Sequence, residues 1–131
     1  MKATLAVLAM GVVSAAAVFA HHSFSAEFDA SKTVSLKGNV TKVDWLNPHI
    51  WIYLDVKDDS GKVAHWQCEG GAPNSLTRNG WTKNDLKQGD AIQIDGTLAK
   101  DASNTCNASQ VHLPDGRRVF AGSSNPTLKQ E

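Results

Sequence analysis

The run His49-Ile50-Trp51-Ile52-Tyr53-Leu54-Asp55-Val56, the link Lys57-Asp58-Asp59-Ser60-Gly61-Lys62 and the run Val63-Ala64-His65-Trp66-Gln67-Cys68-Glu69 decide the fold class of this chain. In the first run apolar and polar side chains alternate with a period of two. Ile50, Ile52, Leu54 and Val56 therefore share one face of a strand, and His49, Trp51, Tyr53 and Asp55 share the other. Asp59-Ser60-Gly61 fits a three-residue hairpin loop, a type I turn followed by a glycine in the left-handed region where a Cβ would clash. That loop predicts Val56 opposite Ala64, Leu54 opposite Trp66 and Ile52 opposite Cys68, which leaves one face wholly apolar. A four-residue loop would set Gln67 against Ile52, so burial selects the shorter one. On the polar face Asp55 then stands across from His65, and Glu69 lies diagonal to His49, within side-chain reach.

The flanking sequence extends this architecture. Upstream, Val34, Leu36, Gly38 and Val40 alternate and the apolar parity changes at Val43 and Trp45. This predicts a long, bent first strand from Thr33, with an inserted bulge residue near Thr41 or Lys42. Downstream, Pro73 suits the first turn of a short helix that Asn79-Gly80 ends. Trp81 is placed at one end of the core, and Thr82 is expected to cap a further helical turn through Leu86 before Gly89-Asp90 reverses the chain. Ile92, Ile94 and Leu98 mark a fourth strand, and a fifth follows the polar loop Asp101 to Asn104 and ends at Val111-His112-Leu113. Pro114-Asp115-Gly116 then turns into a short Val119-Phe120 strand. Three strands, a short helix and two strands is the order of a mainly β, OB-like five-stranded barrel with the helix between strands 3 and 4. Trp45, Trp66 and Trp81 are read as core.

Ahead of this domain, Met1-Lys2 supplies a positive start, Ala3 to Ala17 an apolar stretch, and Val18 and Ala20 the small residues that a signal peptidase requires. The expected organisation is a signal peptide at 1–20, an N-terminal segment at 21–32, the barrel domain at 33–121 and a flexible tail at 122–131. Cleavage makes His21 the mature amino terminus, leaves no stable membrane anchor and delivers the protein to the periplasm or the exterior. The chain carries 13 basic and 13 acidic residues. Such a balance offers no basic surface for nucleic acid, so the expected partner is a protein or a small ligand.

Cys68 and Cys106 are the only cysteines. In an oxidising compartment a bridge between them would contribute roughly 3 to 4 kcal/mol. Strands 3 and 5 of an OB-like barrel run parallel, however, which is expected to separate a cysteine late in one from a cysteine early in the other. A disulfide and a pair of buried thiols both stay open.

Metal binding is the sharpest chemical expectation. The amine and ring of His21, the ring of His22, His49 and Glu69 together offer nitrogen and carboxylate ligands that suit copper or zinc, provided the amino-terminal segment folds across the second strand. His65 is paired with Asp55, far along the ladder from His49. Trp51 and Tyr53 flank His49 on the polar face and form a recognition surface, unless the segment from Phe24 to Phe28 or the helix covers them. No Gly-x-Ser-x-Gly turn and no phosphate-cradling loop is present, so a catalytic site is not expected. The leading expectation is a non-catalytic binding or accessory module, followed by a copper or zinc binder and then a copper-dependent oxidoreductase.

Further motifs are His21-His22-Ser23-Phe24, Asn47-Pro48-His49, Pro73-Asn74 with Gly80-Trp81, Asp85-Leu86 with Gly89-Asp90, and Leu113-Pro114-Asp115-Gly116-Arg117. In these the chain, from His21 to about Ser123, resembles an uncharacterised family of small exported bacterial proteins whose mature chains begin His-His-Ser-Phe and carry an Asn-Pro-His motif. The resemblance implies an exported, barrel-like β domain with no established activity. The two cysteines depart from that family's common pattern.

Overall fold

The computed structural model describes residues 24–122. In chain order the elements are α1 (Phe24–Glu27), β1 (Phe28–Asp44), β2 (Trp51–Lys57), β3 (Val63–Glu69), α2 (Pro73–Arg78), β4 (Ala91–Ala99), β5 (Thr105–His112) and β6 (Arg118–Phe120). The expected signal peptide and most of the tail lie outside the described residues.

The β2–β3 hairpin forms in the expected register, with Val56 opposite Ala64, Leu54 opposite Trp66, Ile52 opposite Cys68 and Asp55 opposite His65. Its loop closes as the turn chemistry requires. Gly61 takes φ +85°, its N–H donates to Asp58 O at 2.9 Å, and Asp58 N–H donates to Lys62 O at 2.9 Å. The Asp58 carboxylate accepts from the backbone N–H groups of Ser60 and Lys62, which ties the turn to its own side chain.

Strand β1 is the hinge of the sheet. Its first part pairs with β4, from Phe28 opposite Ala99 to Asn39 opposite Ala91, and its last part pairs with β2. Between Val40 and Lys42 the register with β2 shifts, so Thr41 is the bulge residue that the parity change predicted. The expected start at Thr33 is corrected to Phe28. Phe28 is buried and paired, but a register irregularity and the polar run Asp29 to Lys32 separate it from the alternating stretch and hide the strand. Part of the expected N-terminal segment 21–32 thus belongs to β1.

The five-stranded OB-like barrel is corrected as well. The strands form one six-stranded sheet in the order β3-β2-β1-β4-β5-β6, in which the short Arg118–Phe120 strand takes its place. An additional parallel pairing joins β3 to β5 through three residue pairs only, Gln67 with Thr105, Cys68 with Cys106 and Glu69 with Asn107. Strand β5 starts level with the last residues of β3 and runs on beyond them, and β6 pairs with Gln110 to His112 of β5. The sheet is therefore coiled and pinned at a short seam, with no ladder closing it along Val63–Trp66, and the helix does lie between strands 3 and 4. The same stagger overturns the expected separation of the cysteines. Cys68 and Cys106 are register partners with Cα atoms 4.5 Å apart and form a disulfide.

The core gathers the inward faces of these strands, Ile52, Leu54, Ile94 and Val111 among them, together with Ile50. Helix α2, with Pro73 in its first turn and Gly80 at φ +93° just past its end, contributes Leu76. Trp81 is buried, and its indole N–H donates to Phe120 O at 2.8 Å, which satisfies the one polar atom the ring brings inside. Trp45 tilts against Trp81 with ring centroids 6.1 Å apart. Trp45 and Trp66 are only partly buried, packed against the core rather than within it. The expected helical turn from Thr82 to Leu86 is instead a single reverse turn. Asp85 N–H donates to Thr82 O while the Asp85 carboxylate accepts back from Thr82 N–H, so the segment is satisfied without propagating a helix.

Candidate recognition face and the His49–Glu69 pair

Because β1, β2 and β3 are in register, their outward side chains stand in rows. Asp44, Trp51 and Glu69 form one row and Lys42, Tyr53 and Gln67 the next. Asn39, Asp55 and His65 form the third. Trp51 and Tyr53, neighbours on one face of β2, are both partly exposed. Lys42 Nζ lies 5.2 Å from the centroid of the Tyr53 ring and 2.8 Å from Asp44 Oδ2, so an ammonium group sits between an aromatic face and a carboxylate. His65 Nδ1 and Asp55 Oδ1 are 2.5 Å apart at an exposed position, the cross-strand pair that the hairpin register predicted.

At the end of this face His49, in the segment between β1 and β2, turns its Nδ1 onto Glu69 Oε1. The diagonal contact read from the strand pattern is present. Burial raises the Glu69 carboxyl above the usual glutamate range, His49 beside it pulls the other way, and the charge of Glu27 at the end of α1 pushes it up again. His21 and His22, the other two residues of the expected metal set, lie outside the described residues. Among the described residues no group of three or more His, Cys, Asp or Glu side chains is gathered so as to hold a metal ion. Of the expected ligands, the structure brings His49 and Glu69 together.

A second polar cluster escaped the sequence reading. The Asp95 carboxylate accepts from Ser35 Oγ at 2.7 Å and from Gln93 Nε2 at 3.0 Å, and its other oxygen is 2.8 Å from His112 Nε2. Burial raises the Asp95 carboxyl, but the hydrogen bonds from Gln93, Ser35 and His112 outweigh it and hold the group below the ordinary aspartate value. Three strands supply this cluster, so its signal exists only once the registers of β1, β4 and β5 are known. No helix among the described residues is long and apolar enough to cross a membrane.

A family of unknown function, DUF6152, matches residues 9–108. The chain belongs to DUF6152. The DUF6152 match contains His49, Trp51, Tyr53, Glu69 and both cysteines, as well as His21 and His22, and stops short of His112. It also stops short of Leu113 to Arg117, a motif included in the resemblance drawn from sequence. No curated protein and no solved structure matches the chain.

Proposed function

We propose that this DUF6152 member is an exported, non-catalytic binding or accessory module whose contact face is the outer side of β1, β2 and β3 around Trp51 and Tyr53. The observation that carries this reading is the in-register placement of two partly exposed aromatic rings amid hydrogen-bonding side chains, on the face opposite the core. Aromatic residues with polar neighbours supply contact area at small entropic cost. The three described histidines each engage a carboxylate, at Glu69, Asp55 and Asp95, which supports a structural or binding use of these rings. Export rests on the leader-like pattern before His21.

The test places a photo-crosslinking amino acid at position 53 and, in a second variant, at exposed position 115 in the turn between β5 and β6, away from this face, in cells exporting the protein. A discrete adduct from position 53 alone is expected. Equal labelling from both positions overturns the contact face.

One observation favours copper or zinc binding as a second reading. Glu69 accepts from Nδ1 of His49 and so directs the ring's other nitrogen away from itself, the arrangement in which a carboxylate orients a metal-binding imidazole. Calorimetric titration with Cu(II) compares the protein beginning at His21 with a form carrying one extra residue before it. Loss of affinity in the extended form supports a terminal chelate, equal affinity removes the amine from the site, and absence of binding by either ends this reading.

A further inference from the structure

The Tyr53–Asp44 site already holds a cation, and that cation belongs to the chain. Lys42 reaches both groups from the bulged end of β1, yet its side chain is 62% exposed while that of Asp44 is 23% exposed. Such an exposed ion pair contributes little to stability, and a competing cation displaces it at small cost. One step along the strand, about 6.8 Å away at antiparallel rise, Trp51 pairs in register with Asp44 on one side and Glu69 on the other. Across the three rows Lys42 supplies the one ammonium, at Asp44, while the other two carboxylates are Asp55, engaged by His65, and Glu69, buried and engaged by His49. Aromatic rings beside carboxylates, repeating at the spacing of alternate residues in a strand, complement an extended chain with cationic side chains at alternate positions.

We infer that the β1–β2–β3 face docks an extended basic segment of a partner protein, with Lys or Arg at alternate positions, and that Lys42 acts as an internal competitor occupying the Tyr53–Asp44 site in its absence. This inference rests on the contact face proposed above and names the chemistry of its partner. Lys42 is then a specificity device, because only a ligand offering a cation at that site replaces it.

The probe is the N-acetylated, C-amidated pentapeptide Lys-Ser-Lys-Ser-Lys, titrated into the isotopically labelled mature protein, beside the same peptide with all three side-chain amines acetylated. Saturable shifts of the Trp51 indole N–H and the Tyr53 amide are expected with the first peptide and not with the second. Lys42→Gln should tighten binding and Asp44→Asn should weaken it, each by about threefold or more. Lys57→Gln, which removes the same charge from the hairpin end of the face, should change binding by less than Lys42→Gln. The dispersion of each variant's spectrum reports that it is folded. Equal shifts with the acetylated peptide, or equal effects of Lys42→Gln and Lys57→Gln, overturn the inference in favour of diffuse electrostatics. A cross-linking adduct at position 53 with no response to the peptide overturns this inference alone, whereas absence of both removes the contact face itself.

Discussion

At the scale of single residues, Glu69 and Asp95 make opposite predictions from one kind of group. Burial dominates at Glu69 and raises its carboxyl, so the folded protein holds that proton more tightly than the unfolded chain does. The stability this contributes is complete below the unfolded value and is lost as pH rises through the raised folded value. Relative to Glu69→Gln, which cannot titrate, the wild type is expected to lose melting temperature as pH rises upward through the glutamate range. A relative gain over that interval would show that the His49 imidazole outweighs burial. At Asp95, where hydrogen bonds hold the carboxyl low, the contribution is present above the ordinary aspartate value and lost as pH falls through the folded one. The wild type should therefore lose its advantage over Asp95→Asn in strong acid, in the same series of melts. The first of these pairs was legible from sequence because His49 and Glu69 belong to one hairpin region. The second was not, because Ser35, Asp95 and His112 lie on three strands and share no local pattern.

At the scale of elements, two glycines show why the strands bend where they do. Gly61 sits at φ +85° with open space around it, so its requirement is conformational. Gly96 lies where the β4–β5 register shifts, and a Cβ there would stand 2.2 Å from Asn107 O, so its requirement is room for a neighbouring backbone. Gly61→Ala is expected to cost about 1 to 2 kcal/mol through left-handed strain, and Gly96→Ala about 3 kcal/mol through overpacking against a backbone that cannot yield. Urea unfolding of both variants checks the order, and a Gly61 variant less stable than the Gly96 variant would reverse the assignment. The Gly61 turn was readable because turn chemistry is local. The bulge at Thr41 was readable too, since a change of apolar parity records it. The start of β1 at Phe28 was missed, because an irregular pairing leaves no period of two to detect.

At the scale of the whole molecule, the Cys68–Cys106 bridge pins the short seam between β3 and β5. Both residues are fully buried, and the bridge spans a sequence separation of 38 residues. Closing a loop of that length restricts the unfolded chain enough to contribute roughly 4 kcal/mol. The double variant Cys68→Ala/Cys106→Ala is expected to lose about that much, read from the urea midpoint with its slope checked for a change in the unfolded state. A loss under about 1 kcal/mol would show that the seam holds by packing and backbone pairing alone.

By itself the sequence determined what depends on near neighbours: the faces of β2 and β3, their register, the Gly61 turn, the short helix and the diagonal approach of Glu69 to His49. Side-chain alternation and turn stereochemistry act over a few residues, so their record is written along the chain. Only the tertiary structure decided that β5 begins beside the end of β3, and with it the short seam in place of the expected barrel, the pairing of Cys68 with Cys106 and the Asp95 cluster. Stagger between strands distant in sequence is settled by how one coiled sheet fills a single core, and no local pattern carries that information.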